Sequence, residues 1–315
     1  MSRKVTIIGA GNVGATIAYT LSLEDLASEI VLIDINQNKA EGEVMDIVQG
    51  TSFRNPISVT SGDYPDAAGS DIVIITSGVG RKPGQSRIDL AQININILKD
   101  ITPKIVAAAP DALYVLVSNP VDIMTYAFTK LSGIPENRII GSGTILDTAR
   151  LRYDLSDHFK IAQKNIHAYV FGEHGDTAFI PWSRARVAGC PMRDYEDAML
   201  AQGRIEEPLN TAESLDYVKS SGGEIIAKKG ATFYAVSASV NELCNIITSA
   251  YDSVATVSSM MHGEYGIEDV CLSTLAILGP DGIRGKAPVE LTEDEIRQLR
   301  ASADSLKAVI ASLTL

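Results

Sequence analysis

Val5-Thr6-Ile7-Ile8 is a β-branched run that stops at Gly9, and Gly9-Ala10-Gly11-Asn12-Val13-Gly14 leads straight into a stretch with Val13, Ile17 and Leu21 on one helical face. Strand, tight turn and helix in so few residues commit the chain to a βαβ beginning. The first glycine permits the turn, the second lets a ligand approach the backbone, and the third lets the helix pack close on the strand. The helix N-terminus adds unpaired amides and partial positive charge, which suit a pyrophosphate. A second apolar run, Ile30-Val31-Leu32-Ile33, ends at Asp34, about twenty residues past the last glycine. A carboxylate there accepts hydrogen bonds from both ribose hydroxyls and repels a 2′-phosphate. NAD rather than NADP is therefore expected, held by Gly9, Gly11, Asn12, Val13, Gly14 and Asp34.

The same alternation continues. Apolar runs near 4–8, 30–34, 56–60, 72–76, 113–117 and 138–141 are separated by helical patterns, which is the plan of a Rossmann-type doubly wound parallel sheet in the α/β class. Ligands of such sheets lie beyond the carboxyl ends of the strands. Gly78 and Asn119 follow the fourth and fifth runs and fall on that edge. After about residue 142 the pattern changes to a helix over 143–158, antiparallel strands over 165–171, 184–188 and 270–278, and helices near 208–229, 231–250 and 292–312. The expected division is an NAD-binding domain, residues 1–142, and an α+β substrate domain, residues 143–315. No Pro-, Gly- or Ser-rich linker separates them, so a broad interface with the active site in the cleft is expected.

Composition narrows the partners. The formal net charge of −12 argues against nucleic acid or an anionic membrane as a partner. No stretch approaches the roughly 18 apolar residues of a membrane span, and the first residues lack a signal-like apolar core; a cytoplasmic protein is expected. Cys190, Cys244 and Cys271 are unclustered, as are His158, His167, His174 and His262, so neither disulfides nor a metal is expected.

The chemistry concentrates in two segments. Phe171-Gly172-Glu173-His174-Gly175-Asp176 offers an imidazole able to move the proton that accompanies carbonyl reduction, and Leu146-Asp147-Thr148-Ala149-Arg150 supplies a carboxylate to fix its tautomer and a guanidinium to grip an anion. Between the fourth strand and the next helix lies Gly78-Val79-Gly80-Arg81-Lys82-Pro83-Gly84-Gln85-Ser86-Arg87, read as a basic loop able to close over a ligand. In a water-poor cleft one guanidinium stabilises a developing alkoxide and another grips a carboxylate in a bidentate fork. Arg87 suits the first role and Arg150 the second.

With these residues placed, the chain resembles the L-lactate/L-malate dehydrogenase family from Val5 to its final helix. The resemblance is carried by Gly9 to Gly14, Lys82-Pro83-Gly84-Gln85-Ser86-Arg87, Ser118-Asn119-Pro120-Val121-Asp122, Gly143 to Arg150 and Gly172 to Asp176. It implies His174 as acid/base, Asp147 as its partner, Arg87 as carbonyl polariser, Arg150 as substrate-carboxylate clamp, Asn119 as a contact near nicotinamide and substrate, and hydride transfer between NADH and a 2-oxo acid. The substrate markers conflict. Arg81 stands where lactate dehydrogenases usually carry Gln and malate dehydrogenases place Arg for the second carboxylate of oxaloacetate. Glu173, Thr232 and the stretch from Gly141 to Arg152 look like the lactate branch, and Thr232 would crowd a larger dicarboxylate. Reversible reduction of pyruvate to L-lactate is the reading, with malate dehydrogenase as the alternative. A nucleotide-binding module without catalysis is a remote third, opposed by the presence of His174, Asp147, Arg87 and Arg150. Arg152 and His167 match positions that form an anion site at a subunit interface in fructose-1,6-bisphosphate-activated bacterial lactate dehydrogenases, which implies that effector and a homo-oligomer, the tetramer.

Overall fold

The computed structural model describes residues 3–80 and 86–315. Six parallel strands, β1 (Lys4–Ile8), β2 (Glu29–Ile33), β3 (Ser58–Ser61), β4 (Ile72–Ile75), β5 (Leu113–Leu116) and β6 (Ile139–Gly141), lie in the order β6-β5-β4-β1-β2-β3. Order reverses at β1, whose Val5 pairs with Ile30 on one side and Ile72 on the other. Helices α1 (Asn12–Leu23), α2 (Gln37–Gly50), α3 (Arg87–Ala108) and α4 (Val121–Ser132) connect the strands. All six expected strands are found within one or two residues of their sequence positions.

Because successive strand residues face opposite sides, the sheet feeds two cores. Val31 and Ile33 join Ile75, Ile95, Leu116 and Phe128 on one face. Ile30 and Leu32 join Ile17, Leu21 and Leu243 on the other. With helices covering both faces, β4 is buried throughout, and this explains its unbroken Ile-Val-Ile-Ile sequence. Each such side chain contributes about 1.5–3 kcal/mol by leaving water.

The second half contains α5 (Ile145–Phe159), β7 (Ile166–His167), β8 (Arg186–Val187), β9 (Cys190–Pro191), α6 (Met192–Ala201), α7 (Thr211–Lys229), α8 (Tyr234–Thr248), β10 (Ser253–His262), β11 (Glu268–Gly279), β12 (Gly282–Lys286) and α9 (Glu293–Ala311). The strand expected over 165–171 is shorter, two residues of β7 followed by an isolated Phe171 to Phe179 bridge. Strand β10 was not expected at all. Its seven consecutive buried positions include Thr256, Ser258 and Ser259, so it has neither the alternation of a half-buried strand nor the apolar run of a buried one. Antiparallel β10, β11 and β12 extend the parallel sheet, with Ser258 pairing to Gly141 of β6, to give nine strands. A separate small sheet, β7-β8-β9, packs with α5 and α7 around Leu151, Leu155, Val187 and Val218. Among the described residues no helix is long and apolar enough to cross a membrane.

Candidate active site and cofactor groove

Beyond the carboxyl ends of β1, β2 and β4 opens a groove of about 1020 Å³ whose lining includes Gly9, Gly11, Asp34, Tyr64 and Gly78. Gly9 has φ +110°, and a Cβ there would lie 2.6 Å from Thr76 Oγ1; a Cβ on Gly14 would lie 1.8 Å from the Gly9 carbonyl oxygen. These two glycines serve the turn and the packing of helix on strand. Gly11 differs, because a Cβ there would meet nothing within 4 Å. The space it leaves faces the groove. Helix α1 starts at Asn12 with no side-chain cap and no acidic residue in its first turn, so its dipole is not countered where a pyrophosphate would sit. Asn12 is exposed at this end and Val13 packs against the adjoining core. Asp34 is fixed at the tip of β2, Oδ2 accepting from the Ala10 amide at 2.6 Å and Oδ1 from the Asn36 amide at 2.8 Å. An open glycine, an uncapped helix and an oriented carboxylate together fit NAD.

The acid/base cluster is assembled from distant elements. Asp147 and Arg150 occupy neighbouring positions on α5, three residues apart, and Arg150 Nη1 donates to Asp147 Oδ1 at 2.9 Å. The other oxygen, Oδ2, meets His174 Nδ1 at 2.5 Å. The segment carrying His174 is pinned to α5 because Thr144 Oγ1 donates to the Val170 carbonyl at 2.5 Å and the Val170 amide donates to Thr148 Oγ1 at 2.9 Å. It is pinned to β11 by the Gly172 amide donating to the Ser273 carbonyl at 2.9 Å. Asp147 is 6% exposed whereas His174 is 28% exposed, so the pair presents the imidazole outward over a buried carboxylate. Nδ1 is engaged, and among the described residues Nε2 has no partner. The negative charge of Asp147, with its hydrogen bond, raises the His174 pKa above 6.5 against the opposing effect of burial. Burial pushes Asp147 up, but His174 and Arg150 outweigh it and hold it below 3.8. An imidazole so placed can hold a proton near neutral pH and deliver it from Nε2.

Asp122 belongs to this cluster, although sequence reasoning gave it no role. It lies in the first turn of α4, is 2% exposed, accepts the His174 backbone amide at 2.8 Å through Oδ2 and the Ser258 hydroxyl at 2.6 Å through Oδ1. Burial raises its pKa, with the Ser258 and His174 hydrogen bonds opposing. The Asn119-Pro120-Val121-Asp122 motif gave its position, but β10 was needed to bring Ser258 to it.

The remaining expected residues divide. Arg87 opens α3 and is ion-paired with the fully buried Glu173, whose Oε2 also accepts from Thr177 Oγ1 at 2.5 Å. Arg150 and His174 are joined through Asp147, and Arg87 reaches the same loop through the residue before His174. Asn119 follows β5 with an exposed side chain. Thr232 lies half-buried in the connection between α7 and α8. Arg152 donates through Nε to the Ala168 carbonyl at 3.2 Å and stacks over Tyr169, while His167 is exposed on β7. Arg81 lies outside the described residues.

The profile described as lactate/malate dehydrogenase, NAD binding domain, matches residues 3–141, and that described as lactate/malate dehydrogenase, alpha/beta C-terminal domain, matches residues 144–314. The L-lactate dehydrogenase of Acetivibrio thermocellus is 49% identical over 311 residues, covering 99% of this chain and 97% of that protein. L-lactate dehydrogenase 1 of Clostridium acetobutylicum is 45% identical over 312 residues, 98% of each. Among solved structures, the minor L-lactate dehydrogenase from Enterococcus mundtii superimposes with a TM-score of 0.93 at 36% identity, covering 100% of this chain and 99% of that one. Two profiles spanning nearly the whole length, over a groove that fits NAD and a buried carboxylate beneath an outward imidazole, place this chain in the lactate/malate dehydrogenase family of NAD-dependent oxidoreductases.

Proposed function

We propose that the protein is an NAD-dependent L-lactate dehydrogenase that interconverts pyruvate and L-lactate, with residues 1–142 binding NAD and 143–315 contributing the acid/base and substrate groups. The observation that carries this reading is one carboxylate, Asp147, holding both the His174 imidazole and the Arg150 guanidinium. A 2-oxo acid needs both: a cation for its carboxylate and, beside it, a proton donor for its carbonyl oxygen. NADH, when bound, supplies the hydride to the 2-oxo carbon, and one proton completes the hydroxyl. His174 Nε2 gives that proton in reduction and takes it back in oxidation. Arg150 holds the substrate carboxylate, Arg87 faces the carbonyl oxygen, and Asn119 and Thr232 bound the space around nicotinamide and substrate.

Pyruvate is favoured over oxaloacetate by Glu173 and Thr232 and by relatives that are L-lactate dehydrogenases. Arg81 favours the dicarboxylate. A desolvated, unpaired cation enclosed against pyruvate's methyl group would cost roughly 3–5 kcal/mol, so Arg81 is the residue on which the two readings differ. The deciding measurement is kcat/KM with each substrate in the wild type and in Arg81→Gln. Pyruvate preferred in the wild type, with the substitution lowering only the oxaloacetate value, is expected. A preference for oxaloacetate by orders of magnitude overturns the lactate assignment.

The working form in this reading is a cytoplasmic homotetramer activated by fructose 1,6-bisphosphate. Arg152 Nε reaches the Ala168 carbonyl, one residue beyond the exposed His167, and in this reading a phosphate bound by both residues across a symmetric interface favours the tetramer. Sedimentation and pyruvate turnover with and without the bisphosphate test this. No change in either measurement removes the effector site.

A further inference from the structure

Asn94 sits in α3, two turns beyond Arg87, and is 1% exposed. Nothing in the proposed chemistry uses it, yet its side-chain hydrogen bonds all go to the backbone of two loops, one of which, at Gly78-Val79, lines the groove. Oδ1 accepts from the Val79 amide at 2.9 Å, and Nδ2 donates to the Val79 carbonyl at 3.2 Å and to the Asn119 carbonyl at 2.7 Å. The amide orientation is unambiguous, because the reversed one would set an NH₂ against an N–H and an oxygen against two carbonyls. Ser118 Oγ also ties the loops, donating to the Ser77 carbonyl at 2.6 Å. Gly78 passes close by, since a Cβ there would lie 3.2 Å from Asn94 Oδ1.

We infer that Asn94 is a positioning residue that clamps the Gly78-Val79 backbone to the Asn119 backbone and so fixes where the Asn119 side chain meets substrate. The inference rests on the reading of Asn119 as a substrate contact. A buried primary amide is the side chain this task requires. It offers an acceptor and two donors in a fixed plane, matched to one backbone N–H and two backbone carbonyls. The same helix that begins with Arg87 thereby holds both loops, so the group facing the carbonyl and the group beside the nicotinamide move as one body. A displacement of about 1 Å in such groups costs on the order of 10²-fold in rate.

Two variants separate the clamp from simple packing. Asn94→Leu keeps the branched shape and removes all three hydrogen bonds. Asn94→Asp keeps the acceptor for the Val79 amide and turns a carboxylate oxygen toward two carbonyls. Both should lower kcat/KM for pyruvate about 10–100-fold, mostly through KM, with the NADH dissociation constant within about threefold of wild type. Hydrogen exchange at the Val79 amide should remain slow in the wild type and in Asn94→Asp and become fast in Asn94→Leu. A fall in Tm with kcat/KM per folded molecule unchanged would reduce Asn94 to packing and overturn the clamp, as would equal loss of NADH and pyruvate binding. If the wild type fails to turn over pyruvate, the proposed function falls, and the exchange rates still decide the clamp: equal exchange in all three proteins refutes it, and the stated pattern upholds it.

Discussion

The cofactor groove takes Gly9, Gly11 and Asp34, with Gly14 packed behind the turn, from one βαβ unit and its tip, residues 4–34. The acid/base cluster joins Asp122, Asp147, Arg150, His174 and Ser258 from α4, α5, the 171–176 turn and β10, through hydrogen bonds spanning 27, 52 and 136 residues. The first region rests on a glycine turn and one oriented carboxylate close together in sequence. The second is made of buried side chains that satisfy one another, and removing one leaves its partner uncompensated. Substitutions in the cluster should therefore act strongly on turnover and weakly on cofactor binding, and those in the groove the reverse.

His174→Ala should give the largest effect. Removing the group proposed to move the proton should cost roughly 10²–10⁴-fold in kcat, while NADH titrated by fluorescence binds as in the wild type. Near-normal turnover would break the contrast between the two regions. Next comes Asp147→Asn. Pyruvate reduction needs the imidazolium, and because the His174 pKa is raised above 6.5 chiefly by Asp147, wild-type activity should persist through neutral pH and fall as pH climbs past that raised value. Without the carboxylate, burial and the Arg150 charge lower the pKa against the weaker pull of Asp122, so the fall should begin at lower pH. Loss of a charged hydrogen bond, about 1.5–3 kcal/mol, should also slow reduction about 10–100-fold at low pH. An unmoved pH profile would show that Asp147 only supports the fold.

The sequence made these two regions legible to different degrees. Strands β1 to β6 and the glycine turn were readable because each depends on neighbours within a few residues: β-branched runs, helical periodicity, a glycine at φ +110°. His174, Asp147 and Arg150 were found from their chemistry and from family motifs. Their joint geometry, with Asp147 bound to both, was not readable from spacing. Ser258 was missed for a physical reason. It lies on a strand whose buried hydroxyls are satisfied by Asp122 and, at Thr256, by Thr148 across 108 residues, so the polar positions that hid the strand are the ones its distant partners require. Asn94 escaped notice likewise, as one polar residue in an apolar-periodic helix.

Asp34→Ser should affect the groove and leave the cluster alone. It removes the carboxylate proposed to hold the ribose hydroxyls and to repel a 2′-phosphate, and Lys39 lines the same groove. NADH should bind about tenfold more weakly, the value of one charged hydrogen bond, with NADPH gaining. Turnover at saturating NADH should stay near that of the wild type. An unchanged NADH to NADPH preference would show that Asp34 does not read the ribose.

Ser258→Ala should have the smallest effect on catalysis and is the finest test of how the cluster is built. Asp122 keeps its Oδ2 contact with the His174 amide, so the imidazole stays in place, and kcat should fall by less than about fivefold, under 1 kcal/mol in the barrier. Stability should suffer more, by about 1–3 kcal/mol, because Oδ1 is left buried without its donor. The loss should depend on pH. The folded pKa of Asp122 already lies above 3.8 because of burial, and the Ser258 hydrogen bond holds it down. A carboxyl whose folded pKa exceeds its unfolded value binds more protons in the folded state, so stability declines as pH rises between the two values. Removing Ser258 raises the upper value and widens that window. The Tm difference between wild type and Ser258→Ala should thus be larger at the higher of two pH values above 3.8. Equal differences at both pH values would mean that Ser258 contributes only packing and that Asp122 is held in its charge state by other groups.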